Sequence, residues 1–258
     1  MPEPVSPQPT GAPVDPAGTG QVSTPRSGWW LDGLLLVGLA GLTGALATGV
    51  FLDTDLAIRD WVDANRPLAA YWIARVLNFA GQGGWVLIPL SSLLALWLAV
   101  RVRSVRPLLP VAAVLVLTLV TIGPMKVLLP RGYPHDLDDP RPERLFTDAT
   151  PAMAYPSGHV VNTIVWYAVI ALLITGLLRS YGKPVPPGRP FPGYLTLRVL
   201  PTVIVFCTTV YLGYHWLTDS VAGLLLGLLL LRLLQRVPWD GIPVPALPNG
   251  LHRRAGLS

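Results

Sequence analysis

Charge is what this chain has least of. Only 13% of its 258 residues are Asp, Glu, Lys or Arg, against about 25% in a soluble domain. Hydrophobic residues supply 52%, and the mean hydropathy is +0.52. So little charge cannot cover a water-soluble globule of this length, and the composition implies a polytopic membrane protein. Cysteine is nearly absent. Cys207 stands alone in an apolar run, which excludes a disulfide within the monomer and marks it as a small buried hydrophobe. Lysine is scarce as well, with Lys126 and Lys183 against seventeen arginines. The chain lacks an arginine–aromatic patch and a zinc-like Cys/His cluster. Its formal charge of +5 is therefore no nucleic-acid footprint and is read through loop topology instead.

What is present is a series of apolar runs. A membrane-spanning helix needs about 20 mainly apolar residues, and six stretches supply them: 29–52, 84–100, 107–125, 157–178, 199–216 and 219–235. Residues 53–83 are mixed. Their first part carries Asp53, Asp55, Asp60 and Asp63; Leu68, Trp72, Val76 and Phe79 then recur at helical spacing. That pattern predicts a short amphipathic helix along the membrane surface. Residues 1–28 hold seven prolines with Gly, Ser and Thr and read as a disordered tail. Residues 237–258 read as a flexible C-terminal tail. Ala45-Leu46-Ala47 resembles a signal cleavage site, but the preceding segment is long and carries only Arg26, so the first run reads as a span. The fold class is thus all-α, with one six-helix membrane domain over 29–236. Six spans put both termini on one side. That side carries twelve Lys and Arg against seven on the other, which predicts cytoplasmic termini in the cell membrane.

Span parity then gathers the unusual polar residues. Lys126 ends the third span, Ser157, Gly158 and His159 begin the fourth, His215 ends the fifth and Asp219 begins the sixth. All fall at the outer, extracytoplasmic face, where ionisable groups at membrane depth mark sites. Taken alone, Pro156-Ser157-Gly158-His159 reads equally as a capped helix with an interfacial histidine. It also makes a helix N-terminus, with Ser157 as cap, whose free N–H groups attract an anion. His215 and Asp219 are four apart, on one helix face or across a tight turn, and a carboxylate beside an imidazole fixes its tautomer. Two histidines with opposed roles and an anion cradle fit phosphoryl transfer through a phosphohistidine. Asp136, Asp138 and Asp139 read as a solvated acidic loop and His135 as incidental. Gly223 and Gly227 read as a helix-packing pair within the monomer.

Pro156-Ser157-Gly158-His159 and His215-Trp216-Leu217-Thr218-Asp219 resemble two motifs of the type 2 phosphatidic acid phosphatase superfamily, and 126–134 is similar to its first motif. The resemblance implies metal-independent hydrolysis, without cofactor, of a lipid-linked phosphate or pyrophosphate on a phospholipid or polyprenyl chain. His215 would be the nucleophile, Asp219 its orienting partner and His159 the acid for the leaving oxygen. Lys126, Arg131, Ser157 and Gly158 would hold the phosphate. Two arginines of the family pattern are replaced here by Tyr133 and Thr209. Losing one charged hydrogen bond to the transition state costs ~2–4 kcal/mol. Arg141 or Arg144 folding into the pocket would compensate. The alternatives keep the fold: a lipid phosphotransferase using the same histidine, or a lipid-binding or transport protein without catalysis.

Overall fold

The computed structural model describes residues 28–148, 151–185 and 191–244. The expected N-terminal tail, apart from Gly28, and the C-terminal tail beyond 244 lie outside the described residues. Among those described, the chain forms eight α-helices and no β-strand, with two isolated β-bridges at Arg131. Six helices are long and apolar enough to cross a membrane. They are α1 (Trp29–Ala47), α4 (Ile88–Val102, entered through a π-helical turn at Gly83–Leu87), α5 (Leu108–Leu128), α6 (Gly158–Ser180), α7 (Tyr194–Tyr211) and α8 (Leu217–Gln235). Two shorter helices, α2 (Leu52–Ala64) and α3 (Leu68–Asn78), join α1 to α4. The protein is an integral membrane protein.

Three boundaries differ from the sequence reading. The first span stops at Ala47, because Gly49 and Phe51 take left-handed backbone conformations (φ +87° and 71°) that launch α2. Residues read only as mixed therefore hold a second helix. The fifth span lies nearer the N-terminus than 199–216, starting after left-handed Gly193 and ending at Tyr211. His215 consequently sits in a turn between α7 and α8 rather than on a helix. Gly213 makes that turn with φ +69°, and a Cβ there would lie 2.1 Å from the His135 ring, so a larger residue would strain the backbone and displace that ring. The surface helix is where the pattern put it. Leu68, Trp72 and Val76 of α3, and Phe79 just past its end, are exposed, as lipid-facing residues are, while Ala74 and Asn78 are buried against the bundle.

α6 is the central helix, packed against α4, α7 and α8. Val161, Val165, Trp166, Val169 and Leu173 are buried along it. Its approach to α8 is set by the glycine pair. A Cβ on Gly223 would stand 2.6 Å from the Ser157 carbonyl oxygen, and one on Gly227 2.6 Å from Ile164 Cδ1. Close helix approach through small residues is the main packing device in an apolar solvent. At the opposite end of the bundle, Asp32 of α1 is paired with Arg232 at 2.5 Å and with Arg236. Arg232 thus joins α8 to α1 by an interhelical ion pair. Cys207 is exposed on the outer side of α7, not buried as its apolar run suggested.

Gly223→Ala forces a backbone oxygen to move and is expected to cost about 1–3 kcal/mol, the usual range for overpacking. Thermal unfolding in detergent reads this directly. Gly33→Ala on α1, where a Cβ meets nothing within 4 Å, should leave the midpoint unchanged or raise it.

Candidate active site

One end of the bundle gathers the polar residues. The 129–157 segment folds back on itself, with the Arg131 amide donating to Ala152 and the Ala154 amide donating to the Arg131 carbonyl. This carries the Ala154 carbonyl to His215, whose Nδ1 lies 2.8 Å from it. A carbonyl only accepts, so Nδ1 holds the proton and Nε2 carries the lone pair. The Asp219 carboxylate is 3.7 Å from the same Nδ1, close enough for charge but beyond a hydrogen bond. Asp219 Oδ2 instead accepts the Trp216 amide at 3.0 Å, closing the first turn of α8. The Ser157 amide donates to the Asp219 carbonyl at 3.0 Å, tying the start of α6 to α8.

His215 lines a cavity of about 440 Å³ with His159, Lys126, Gly158, Tyr133, Tyr214, Gln82 and Asn162 among its walls. The two imidazole rings are 5.6 Å apart, centre to centre. His159 Nε2 is 3.2 Å from the Gln82 amide nitrogen. The Lys126 ammonium bonds the Met153 carbonyl. Burial, together with the Asp219 and Asp136 charges, pushes the Tyr133 phenol above its ordinary pKa, so it stays a neutral hydroxyl. Ser157 is fully buried beneath the first turn of α6. It makes no capping bond, and its Oγ has no partner among the described residues.

Several residues expected at the phosphate lie elsewhere. The Arg131 side chain is entirely buried and turned inward. Its guanidinium bonds Asp219 at 2.5 Å, Asp55 at 2.7 Å, Thr218 Oγ1 at 2.8 Å and the Glu143 carbonyl at 2.9 Å. Two carboxylates outcompete a cavity for that cation. Thr209 is buried too, its hydroxyl 2.8 Å from the Val205 carbonyl of its own helix. Arg141 is exposed and paired with Glu143, and Arg144 is exposed. Neither arginine lines the cavity. His135 is not incidental: it packs on Gly213 and pairs with Asp63 at 2.8 Å.

The residue missed is Asp55. Fully buried on α2, it accepts from Arg131 and from both the amide and hydroxyl of Thr218. A signal for it existed. Leu52, Asp55 and Val62 are the buried residues of α2, and their spacing puts an aspartate on an apolar helix face. Gln82 and Asn162 were also missed, and their sequence neighbourhoods carry no such signal.

Two imidazoles, an ammonium and a helix N-terminus surround one cavity, and the class they belong to is that of helical membrane proteins with ionisable groups gathered at one end of the bundle. The PAP2 superfamily profile matches residues 107–242, more than half of the chain, and the chain belongs to that superfamily. Among solved structures, the chain is similar to a transmembrane PAP2-type phosphatidylglycerolphosphate phosphatase from Bacillus subtilis. The TM-score is 0.58 at 20% identity, over 80% of this chain and 94% of that one. At that identity the likeness speaks for the fold. No curated protein matches.

Arg131→Ala strands two buried carboxylates and is expected to cost ~3–5 kcal/mol of stability, read as a lower unfolding midpoint in detergent. A phosphate ligand would instead raise KM with the midpoint unmoved. Arg144→Ala should change neither quantity measurably, as exposed charges do, and Arg141→Ala, which leaves the buried Glu143 carboxylate without its partner, should lower the midpoint without raising KM.

Proposed function

We propose that this protein is a membrane phosphatase that hydrolyses a lipid-linked phosphate or diphosphate at the outer leaflet through a phosphohistidine. The observation that carries the reading is the Ala154 carbonyl on His215 Nδ1, which leaves Nε2 as the nucleophilic nitrogen in a cavity shared with His159. Nε2 attacks phosphorus, and the bond to the leaving oxygen breaks. His159 gives that oxygen a proton. Water, giving its proton back to His159, then cleaves the P–N bond and restores the enzyme. Lys126, Tyr133 and the free amides of the first turn of α6, beginning at Gly158, hold the phosphoryl oxygens. The buried set of Asp55, Asp219 and Arg131 carries one net negative charge, two carboxylates against one guanidinium. That charge beside Nδ1 steadies the imidazolium character His215 acquires. The outer-leaflet assignment is supported by the excess of Lys and Arg on the opposite face.

Purified protein in detergent with chelator should release phosphate from lipid phosphates. His215→Ala should lose roughly 10⁴-fold in kcat, the scale for disabling such a dyad. Rapid quenching should trap an acid-labile, base-stable phosphoenzyme in the wild type and none in the variant. Undiminished turnover in His215→Ala would sink the reading. Added glycerol that diverts phosphate into a new ester would assign the intermediate to a transferase instead.

A further inference from the structure

The two histidines of the cavity are held in different ways. His215 is bound at Nδ1 by a carbonyl, which accepts in every protonation state, with the Asp219 charge behind it. Such surroundings suit a ring that keeps its Nδ1 proton throughout turnover. His159 has neither. Its ring makes one hydrogen bond among the described residues, which joins Nε2 to the side-chain amide nitrogen of Gln82 at 3.2 Å. No Asp or Glu is among the described residues lining the cavity.

The chain breaks its regular helix to put that amide there. Gln82 stands in extended backbone (φ −74°, ψ 100°) between the 3₁₀ turn Phe79–Gly81 and the π-helical turn Gly83–Leu87. Its carbonyl accepts the Val86 and Leu87 amides at 3.2 and 3.0 Å, anchoring the break. Glycines on both sides let the segment lie against α6 and α7. A Cβ on Gly81 would meet Val205 Cγ1 at 2.6 Å and His159 Cβ at 3.3 Å, and one on Gly83 would meet the Asn162 side-chain nitrogen at 2.4 Å. π-helical turns are rare, and they recur at functional sites.

An amide nitrogen only donates, so in this arrangement Nε2 carries the lone pair and the ring proton is on Nδ1. Turned over, the same amide presents its oxygen to an Nε2–H. Gln82 therefore matches both the neutral and the doubly protonated ring. A carboxylate would match Nε2 only when protonated, and an ammonium only when bare. On the phosphatase reading, His159 must pass between those states in every turnover, giving up a proton and taking one back. We propose, resting on that reading, that Gln82 is the positioning residue for this proton transfer. The amide holds Nε2 in both states. Nδ1 delivers its proton to the leaving oxygen as the P–O bond breaks, and recovers one from the water that cleaves the P–N bond.

The test uses the full-length protein in detergent and two phosphate monoesters that share an alkyl chain. Dodecyl phosphate releases an alkoxide that needs a proton, whereas 4-dodecyl-2-nitrophenyl phosphate releases a phenolate that leaves without one. Gln82→Met, close in volume and without the amide, should lower kcat/KM for dodecyl phosphate about tenfold or more, a share of the usual worth of a general acid. The nitrophenyl ester should be nearly unaffected. Gln82→Asn, which withdraws the amide by one methylene, should show the same split and covers the case in which Gln82→Met does not fold. Combined with His159→Ala, either substitution should cost nothing further, because it acts only through that ring. Equal loss on both esters, no loss on either, or a further loss in the His159→Ala background overturns the positioning role and leaves the phosphatase reading standing. No phosphate from either ester, with the wild-type protein folded by size exclusion, removes that reading and this inference with it.

Discussion

The arrangement of the site depends on one buried cation. The Arg131 guanidinium lies out of contact with solvent between Asp55 of α2 and Asp219 of α8. Burying an ion costs several kcal/mol unless its partners are close and its remaining protons are satisfied. Here both conditions hold, since Thr218 and the Glu143 carbonyl take other guanidinium N–H groups. Four segments distant in sequence meet at that point: α2, the 129–157 loop and the first turn of α8 through side chains, and the turn holding His215 through the loop backbone. Displacing any of them would strand a charge.

That constraint reaches the chemistry by two routes. The backbone of Arg131 pairs with Ala152 and Ala154, and the Ala154 carbonyl sets the His215 tautomer. Its side chain neutralises one of two carboxylates, so the imidazole faces a single net negative charge rather than two or none. The control of the His215 ring is thereby divided between two groups. A carbonyl orients the ring, and the carboxylate acts over 3.7 Å as a charge. With Arg131 committed inward and Thr209 bonded to its own helix, the cavity draws its positive field from Lys126 and the α6 N-terminus, among the described residues. Neutral amides and phenols occupy much of the remaining wall.

Packing and site are coupled through α6 as well. Gly223 admits the Ser157 carbonyl at a distance no side chain would allow, and the Ser157 amide reaches Asp219 across the same contact. The close approach that seals the core of the bundle therefore also places the helix N-terminus next to the histidine turn. The far end is closed by Asp32 between Arg232 and Arg236, so both ends of the α1–α8 side of the bundle are held by buried or half-buried ion pairs.

How much of this was legible varied with the range of the interaction involved. Six apolar runs, the surface helix at 68–78, and the convergence of Lys126, His159, His215 and Asp219 at one end follow from hydropathy, spacing and span parity. Each is local or periodic, and a membrane makes the period decisive by forbidding unpaired backbone. Sequence alone did not reveal where an arginine next to a motif would point. Arg131, Arg141 and Arg144 are equally basic on paper, and three-dimensional proximity to Asp55 and Asp219 buried one and left two in water. The same holds for Asp55, contributed by a helix outside the family-matched region, and for Gln82 and Asn162, which become cavity walls only when α4 and α6 pack. Chain pattern determined which faces are apolar and which end is polar. Tertiary structure decided which charges cancel and which groups remain free, because electrostatic pairing depends on distances that no residue spacing encodes.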